Sequence, residues 1–387
     1  MSTVACTAHS DPVTASRLFS PFDLGGAVLA NRAVVAPMAQ YSADREGCVG
    51  AWHLMHIGNL AVSGVGMVIV EATAVEPEGR ISLACPGLWA RAQVEGLRNV
   101  TAFCHEHGSA KVAIQLAHSG RKGSVRAPWL KHAVVALDEG GWTPSSGSSL
   151  AYPGRPLPHV LSIDELQGLA ARYAAAAKRA DEAEFDVLEL HAAHGYLLHC
   201  FLSPLANDRD DRYGGDIEGR MRYPLEVFRA VRDAWPAAKP LGVRISATDW
   251  IEGGWQLEDA VLFADRLKAL GCAYISVSSG GTLPEQRIPV GPGYQAPLSR
   301  TIREQAGIAT MVAGIISEPS QAEALLVDGS ADLIALGRGM TWNPRWAWHA
   351  AAEFGETVFF PPQYRRSHSS MRFGDFYKVY QETDRSP

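Results

Sequence analysis

A chain of 387 residues that is 47% hydrophobic and 20% charged has the balance of a globular protein with a large core. Its formal charge of −6 argues against nucleic acid or an anionic membrane as the main partner, since either needs a basic face. No apolar run approaches the roughly 20 residues of a membrane span, and the six scattered cysteines, without a Cys-x-x-Cys pair, point to reduced thiols in the cytoplasm rather than a zinc or iron–sulfur site.

Residues 1–17 are polar, lack a charged segment followed by an apolar one, and read as a disordered tail rather than a signal peptide. From Leu18 onward, apolar runs alternate with amphipathic ones. Expected strands are Ala33–Met38, Met67–Ala72, Lys111–Leu116, Val187–Leu190, Leu241–Ser246, Tyr274–Ser278, Thr310–Ala313 and Leu333–Leu336. They are short, rich in Val, Ile and Leu, and apolar on both faces, as parallel strands covered by helices must be. Between them, helical periodicity marks Trp52–Ser63, Ala90–His107, Arg220–Trp235, Leu257–Leu270, Ser299–Gln305, Glu318–Val327 and Pro344–Phe354. Another helix follows Ser162, which with Glu165 forms a capping box.

About eight β-then-α units in series favour a closed (β/α)8 TIM barrel over an open doubly wound sheet. One barrel domain is expected over 18–366, with an N-terminal extension, a C-terminal tail over 367–387 near a subunit interface, and a long excursion after strand 3. That excursion, 118–158, crowds Gly, Ser and Pro and should emerge on the catalytic face as a lid or pocket wall.

Polar residues at the C-terminal ends of parallel strands are where barrels keep their chemistry. Phe185–Tyr196, reading Phe-Asp-Val-Leu-Glu-Leu-His-Ala-Ala-His-Gly-Tyr, is the clearest instance: a buried strand runs into His191, His194 and Tyr196. Taken alone, the histidines suit a satisfied structural pair. Zinc is a weaker reading, because His-x-x-His here lacks the glutamate of His-Glu-x-x-His. His53 and His56 repeat the spacing on a helical segment, where capping or packing is expected. Gly314 and Gly337-Arg338 follow strands seven and eight, a common phosphate position in barrels. With neither Gly-x-Gly-x-x-Gly after a strand nor a P-loop, the ligand expected there is a mononucleotide or a small phosphorylated molecule. Gln115 and Arg244, read as lying on opposite sides of the mouth, are suited to the polar edge of a planar ring.

Several motifs occur together in order: Ala36-Pro37-Met38-Ala39-Gln40-Tyr41, Glu71-Ala72-Thr73, Gln115-Leu116-x-His118-x-Gly120-Arg121-Lys122, His191-x-x-His194-Gly195-Tyr196, Tyr213-Gly214-Gly215 and Gly291-Pro292-Gly293-Tyr294. In this combination the chain strongly resembles the Old Yellow Enzyme family of FMN-dependent ene reductases. Gln40-Tyr41 and Gln363-Tyr364-x-Arg366 look most like its thermophilic-like bacterial branch. The resemblance implies FMN across the mouth, its ring held near Pro37, Met38 and Ala39, by Ala72, Gln115 and Arg244, and its phosphate at Ala313, Gly314, Gly337 and Arg338. It implies that His191 and His194 grip the substrate carbonyl, that Tyr196 supplies a proton, and that Tyr41 lines the pocket. It also implies NADPH or NADH as reductant, and a homodimer or dimer of dimers in which Arg366 reaches the neighbouring active site.

Two departures stand out. Ala39 occupies a position where this branch usually carries a cysteine. Asp216 stands in place of the usual serine after Tyr-Gly-Gly, where a change in helix capping is expected. The expected activity is NAD(P)H-driven reduction of the C=C bond of enones, enals or maleimides, with no metal. The alternatives are an FMN barrel with another redox role and a flavin-free barrel lyase or isomerase, which would need a Lys or Glu base at a strand end.

Overall fold

The computed structural model describes residues 15–364; residues 1–14 and 365–387, Arg366 and the tail expected over 367–387 among them, lie outside the described residues. Eight strands, β1 (Ala33–Val35), β2 (Met67–Ala74), β3 (Lys111–Ala117), β4 (Val187–Ala192), β5 (Leu241–Ser246), β6 (Tyr274–Ser278), β7 (Ala309–Val312) and β8 (Leu333–Leu336), pair in parallel with their sequence neighbours. β8 closes on β1 through Ala335 opposite Val34, making a complete barrel. Helices α1 (Ala51–Ala61), α2 (Arg91–His107), α3 (Ile163–Glu182), α4 (Leu197–Leu202), α5 (Ile217–Ala234), α6 (Leu257–Ala269), α7 (Ala296–Ala306), α8 (Pro319–Val327), α9 (Arg338–Trp342) and α10 (Trp346–Phe354) complete the chain. The expected TIM barrel is the fold observed. Among the described residues no helix is long and apolar enough to cross a membrane.

Period-2 alternation sorts the strand side chains into two cores. Val34, Met67, Ile69, Val187, Met311 and Leu333 fill the barrel, while Ala33, Val35, Val68, Val70, Leu188 and Leu190 pack against the helices. A hairpin of Phe22–Asp23 and Val28–Leu29 brings Leu24, Ala27 and Leu29 into the inner cluster and plugs its N-terminal end. With that end sealed by apolar side chains, the polar groups of the strands gather at the other end.

The helices begin where local chemistry dictates. Ser162 Oγ accepts from Glu165 N at 3.3 Å while Glu165 accepts from Ser162 N at 2.8 Å, a box worth about 1 kcal/mol to α3. At α5 the Asp216 carboxylate accepts from Gly219 N at 2.8 Å, so the departure after Tyr-Gly-Gly supplies an N-cap of its own. Residues 118–158 form an excursion of three 3₁₀ turns and the short strand Ser145–Ser146, which pairs with His159–Val160 just after it. It is tied to the barrel by Arg121, whose Nη2 donates to Thr282 O at 2.9 Å.

Candidate active site

In β4 the inward register is Val187, Glu189, His191, so one apolar and two polar side chains rise in sequence toward the mouth. Beyond the strand the chain turns through His194 (φ +61°) and Gly195 (φ +70°). A left-handed histidine is uncommon, and here three contacts over-determine it. His194 N donates to Ser246 Oγ at 2.9 Å, Lys122 Nζ donates to His194 O at 2.8 Å, and Gly195 N donates to His199 Nδ1 at 2.8 Å. A Cβ on Gly195 would lie 2.3 Å from Gly281 O, so only glycine lets these two backbones cross.

The turn assembles three rings. His191 stands edge-on to both His194 and Tyr196, with centroids 5.1 Å away in each case. His191 Nδ1 accepts from Ala193 N at 3.2 Å, which places the ring proton on Nε2. That atom lies 3.4 Å from His194 Nδ1, and His194 Nε2 lies 2.7 Å from Ser278 Oγ. Gln295 Oε1 already accepts from Ser279 Oγ at 2.8 Å and lies 3.4 Å from Ser278 Oγ. The Ser278 hydroxyl is therefore assigned to the nearer His194 Nε2, and in that assignment both histidines present an N–H at one point.

Burial, reinforced by the Arg244 guanidinium, holds both imidazoles well below the usual histidine pKa, so they act as neutral donors. The unfolded chain takes up these protons near pH 6.5 and the folded one does not. Stability is therefore complete above that pH and declines as pH falls from it toward the depressed folded values. A melting series from pH 7.5 to 5 should show this loss, and a His191→Asn, His194→Asn protein should show a shallower one.

Below the histidines, Glu189 is fully buried and accepts from Gln115 Nε2 at 2.7 Å and from Tyr274 Oη at 3.2 Å. The ladder sets Gln115 opposite Glu189 and His191 opposite Arg244. Gln115 and Arg244 thus flank β4 on one side of the mouth; they do not face each other across it. Sequence order gives strand number but not the angle between strands around a barrel. Arg244 Nε is sealed from solvent without a hydrogen-bond partner, a buried donor that calls for an acceptor.

The ends of β1 and β2 form the next wall. Val70 pairs with Ile114 and Thr73 with Leu116, so a bulge inserts one residue and re-aims Glu71 and Ala72. Glu71 accepts from Gln40 N at 2.8 Å, and Gln40 Nε2 returns to Met38 O at 2.8 Å, fixing the half-buried Pro37, Met38 and Ala39 beside the bulge. His53 Nδ1 accepts from Gly50 N at 3.5 Å to cap α1, and its Nε2 lies 3.2 Å from Glu71. Tyr41 and Tyr196 pack on the same apolar cluster of Ile81, Cys85 and Val125, and burial pushes the Tyr41 phenol up to about 12. On the other flank of β1, beyond β8, Gly314 (φ +127°) follows β7, with Gln295 Nε2 donating to Ala313 O at 2.8 Å. Gly337 precedes the short α9, whose first residue is the exposed Arg338. An added Cβ at Gly337 would reach only Met38 Sδ at 3.7 Å, leaving an open cradle of backbone N–H groups between the ends of β7 and β8.

Residues 17–355 match the model of the NADH:flavin oxidoreductase / NADH oxidase family. The chain belongs to that family. An NADPH dehydrogenase of Geobacillus sp. (strain WCH70) is 42% identical over 350 residues, which cover 90% of this chain and 98% of the relative. Among solved structures, morphinone reductase in complex with tetrahydroNAD aligns with a TM-score of 0.72 at 29% identity, over 89% of this chain and 93% of its own. The Old Yellow Enzyme homologue from Zymomonas mobilis gives 0.72 at 26%, over 88% and 94%.

The protein is thus an FMN- and NAD(P)H-dependent oxidoreductase. The residues present fit the flavin: the unpartnered Nε of Arg244 for its polar edge, the half-buried segment Pro37, Met38 and Ala39 along its ring, and an open glycine cradle for its phosphate. No role is expected from the sequence at Glu189, Lys122 or Ser246. Glu189 is signalled by its phase, two residues before His191, and Ser246, like Ser278, by ending its strand; Lys122 closes the motif that begins at Gln115, but nothing local indicates that it reaches His194.

Proposed function

We propose that this protein reduces the C=C bond of α,β-unsaturated carbonyl compounds, enones, enals and maleimides among them. The observation that carries the reading is the convergence of His191 Nε2 and His194 Nδ1, 3.4 Å apart, beside the Tyr196 ring. When bound and reduced by NAD(P)H, FMN would supply the hydride for the β-carbon. Negative charge then builds on the carbonyl oxygen, where each well-placed donor is worth on the order of 3 kcal/mol. His191 and His194 are those donors. Burial raises the Tyr196 pKa above the usual phenol value, keeping it protonated at neutral pH and able to deliver a proton to the α-carbon.

In this reading Pro37, Met38, Ala39, Ala72, Gln115 and Arg244 hold the flavin ring, Ala313, Gly314, Gly337 and Arg338 hold its phosphate, and Tyr41 lines the substrate pocket. Residues 118–158 wall that pocket. Arg366 completes it from a neighbouring subunit in a homodimer or dimer of dimers. The free thiols of Cys85, Cys104, Cys200 and Cys272, all buried, suit a cytoplasmic enzyme. Supporting the reductant assignment, the relatives include an NADPH dehydrogenase and a reductase solved with tetrahydroNAD.

The purified protein should be yellow. Anaerobic NADPH should bleach the flavin band, and 2-cyclohexenone should restore it in a ping-pong cycle. A protein that remains colourless after incubation with FMN and gel filtration would end this reading.

A further inference from the structure

Lys122 ends the 3₁₀ turn Gly120–Lys122 that follows β3. Its ammonium is bound by backbone alone: Nζ donates to His194 O at 2.8 Å and to Gly281 O at 2.9 Å. Among the described residues no carboxylate lies within ion-pair distance of it. The charged neighbours that act on it are Arg121 and Arg155, both cations. Burial first, then those guanidiniums against an opposing effect of Cys200, hold its pKa down to about 8. The side chain is still protonated at neutral pH.

The two carbonyls belong to the backbones that cross at Gly195 and Gly281, and a neutral amide donor would satisfy them. A largely desolvated cation without a counter-ion is costly even where, as here, the side chain keeps some exposure, so its charge calls for a separate account. The ammonium lies 5.2 Å from the centroid of the Tyr196 ring and 4.8 Å from that of Tyr152. When Tyr196 gives up its proton, negative charge forms on a ring that Nζ already overlies, with the Arg244 guanidinium as a second cation acting on it.

We propose that Lys122 is a positioning residue that sets the proton-donating strength of Tyr196, stabilising the phenolate left as the proton departs while pinning the turn that carries His194. The inference rests on the reductase reading above. In the step concerned, the Tyr196 O–H bond breaks and a C–H bond forms at the α-carbon, using the electron pair of the enolate left by hydride addition. Solvent then returns a proton to Tyr196.

Two acceptors separate charge from scaffolding. Reduction of 2-cyclohexenone needs the α-carbon proton, whereas 1-nitrocyclohexene gives a nitronate stable enough to leave unprotonated. Lys122→Gln keeps two N–H donors and removes the charge, Lys122→Met removes both, and Lys122→Arg keeps the charge. Stopped-flow oxidation of the reduced enzyme should slow at least tenfold with the enone in the Gln and Met variants, and less than twofold with the nitroalkene. The Arg variant should stay within threefold of wild type on both. In melting experiments the Met variant should fall below the Gln variant, since it alone leaves both carbonyls without a donor.

A Gln variant that matches wild type on the enone overturns the proposal, and so do parallel losses on both acceptors. If the Met variant does not fold, the Gln and Arg variants carry the comparison. Wild-type enone turnover is measured first: its absence defeats the reductase reading itself, whereas turnover with parallel losses defeats only the role of Lys122.

Discussion

Replacing His191 and His194 together by alanine should leave a yellow protein that NADPH reduces at a near-normal rate but that passes its electrons to 2-cyclohexenone at least 10²-fold more slowly. The magnitude follows from the loss of donors aimed at a developing oxyanion, where one donor typically contributes on the order of 10²–10³ in rate. Because the two N–H groups meet at one point, each single variant should already lose most of that, and the double variant less than the product of the singles. FMN should remain bound because the contacts proposed for it lie elsewhere, on Arg244, Gln115, the bulged end of β2 and the glycine cradle after β7 and β8. Stopped-flow traces separate the two half-reactions. An oxidative half-reaction unchanged in the double variant would remove the carbonyl-clamp assignment while leaving flavin chemistry intact.

How much of this site is legible in the sequence depends on whether its parts are joined by local or by long-range geometry. The barrel strands are legible because parallel strands buried on both faces are runs of Val, Ile and Leu, and β5, β6 and β8 have the bounds their sequence suggests. β1 stops at Val35 rather than continuing to Met38, since Pro37 has no N–H for a ladder bond and the chain bends into the mouth. His191, His194 and Tyr196 are legible as a group because one turn carries all three. Lys122 is not, since it reaches His194 from another strand's loop, 72 residues away in sequence. Gln115 and Arg244 are individually legible, but their placement around β4 is not, because it is fixed by register.

That placement leads to the second large effect, at Glu189. Its buried carboxylate holds Gln115 and Tyr274 by hydrogen bonds, and it is the main charge opposing the burial of Arg244. Burial raises the Glu189 pKa, while the Arg244 field and the two hydrogen bonds pull it down. Each group thus makes the other's charge tolerable. Glu189→Gln should destabilise the apoprotein by about 3 kcal/mol, the usual scale for leaving a buried charge unmatched, and Arg244→Met should cost a similar amount. The double variant should lose at least about 1 kcal/mol less than the sum, because removing both charges leaves neither stranded. Urea unfolding of the four apoproteins measures the cycle, and strictly additive losses would show that Glu189 and Arg244 do not act on each other. FMN titration distinguishes their roles. Arg244→Met should weaken FMN binding more than Glu189→Gln, since only the former removes a donor from the flavin's edge.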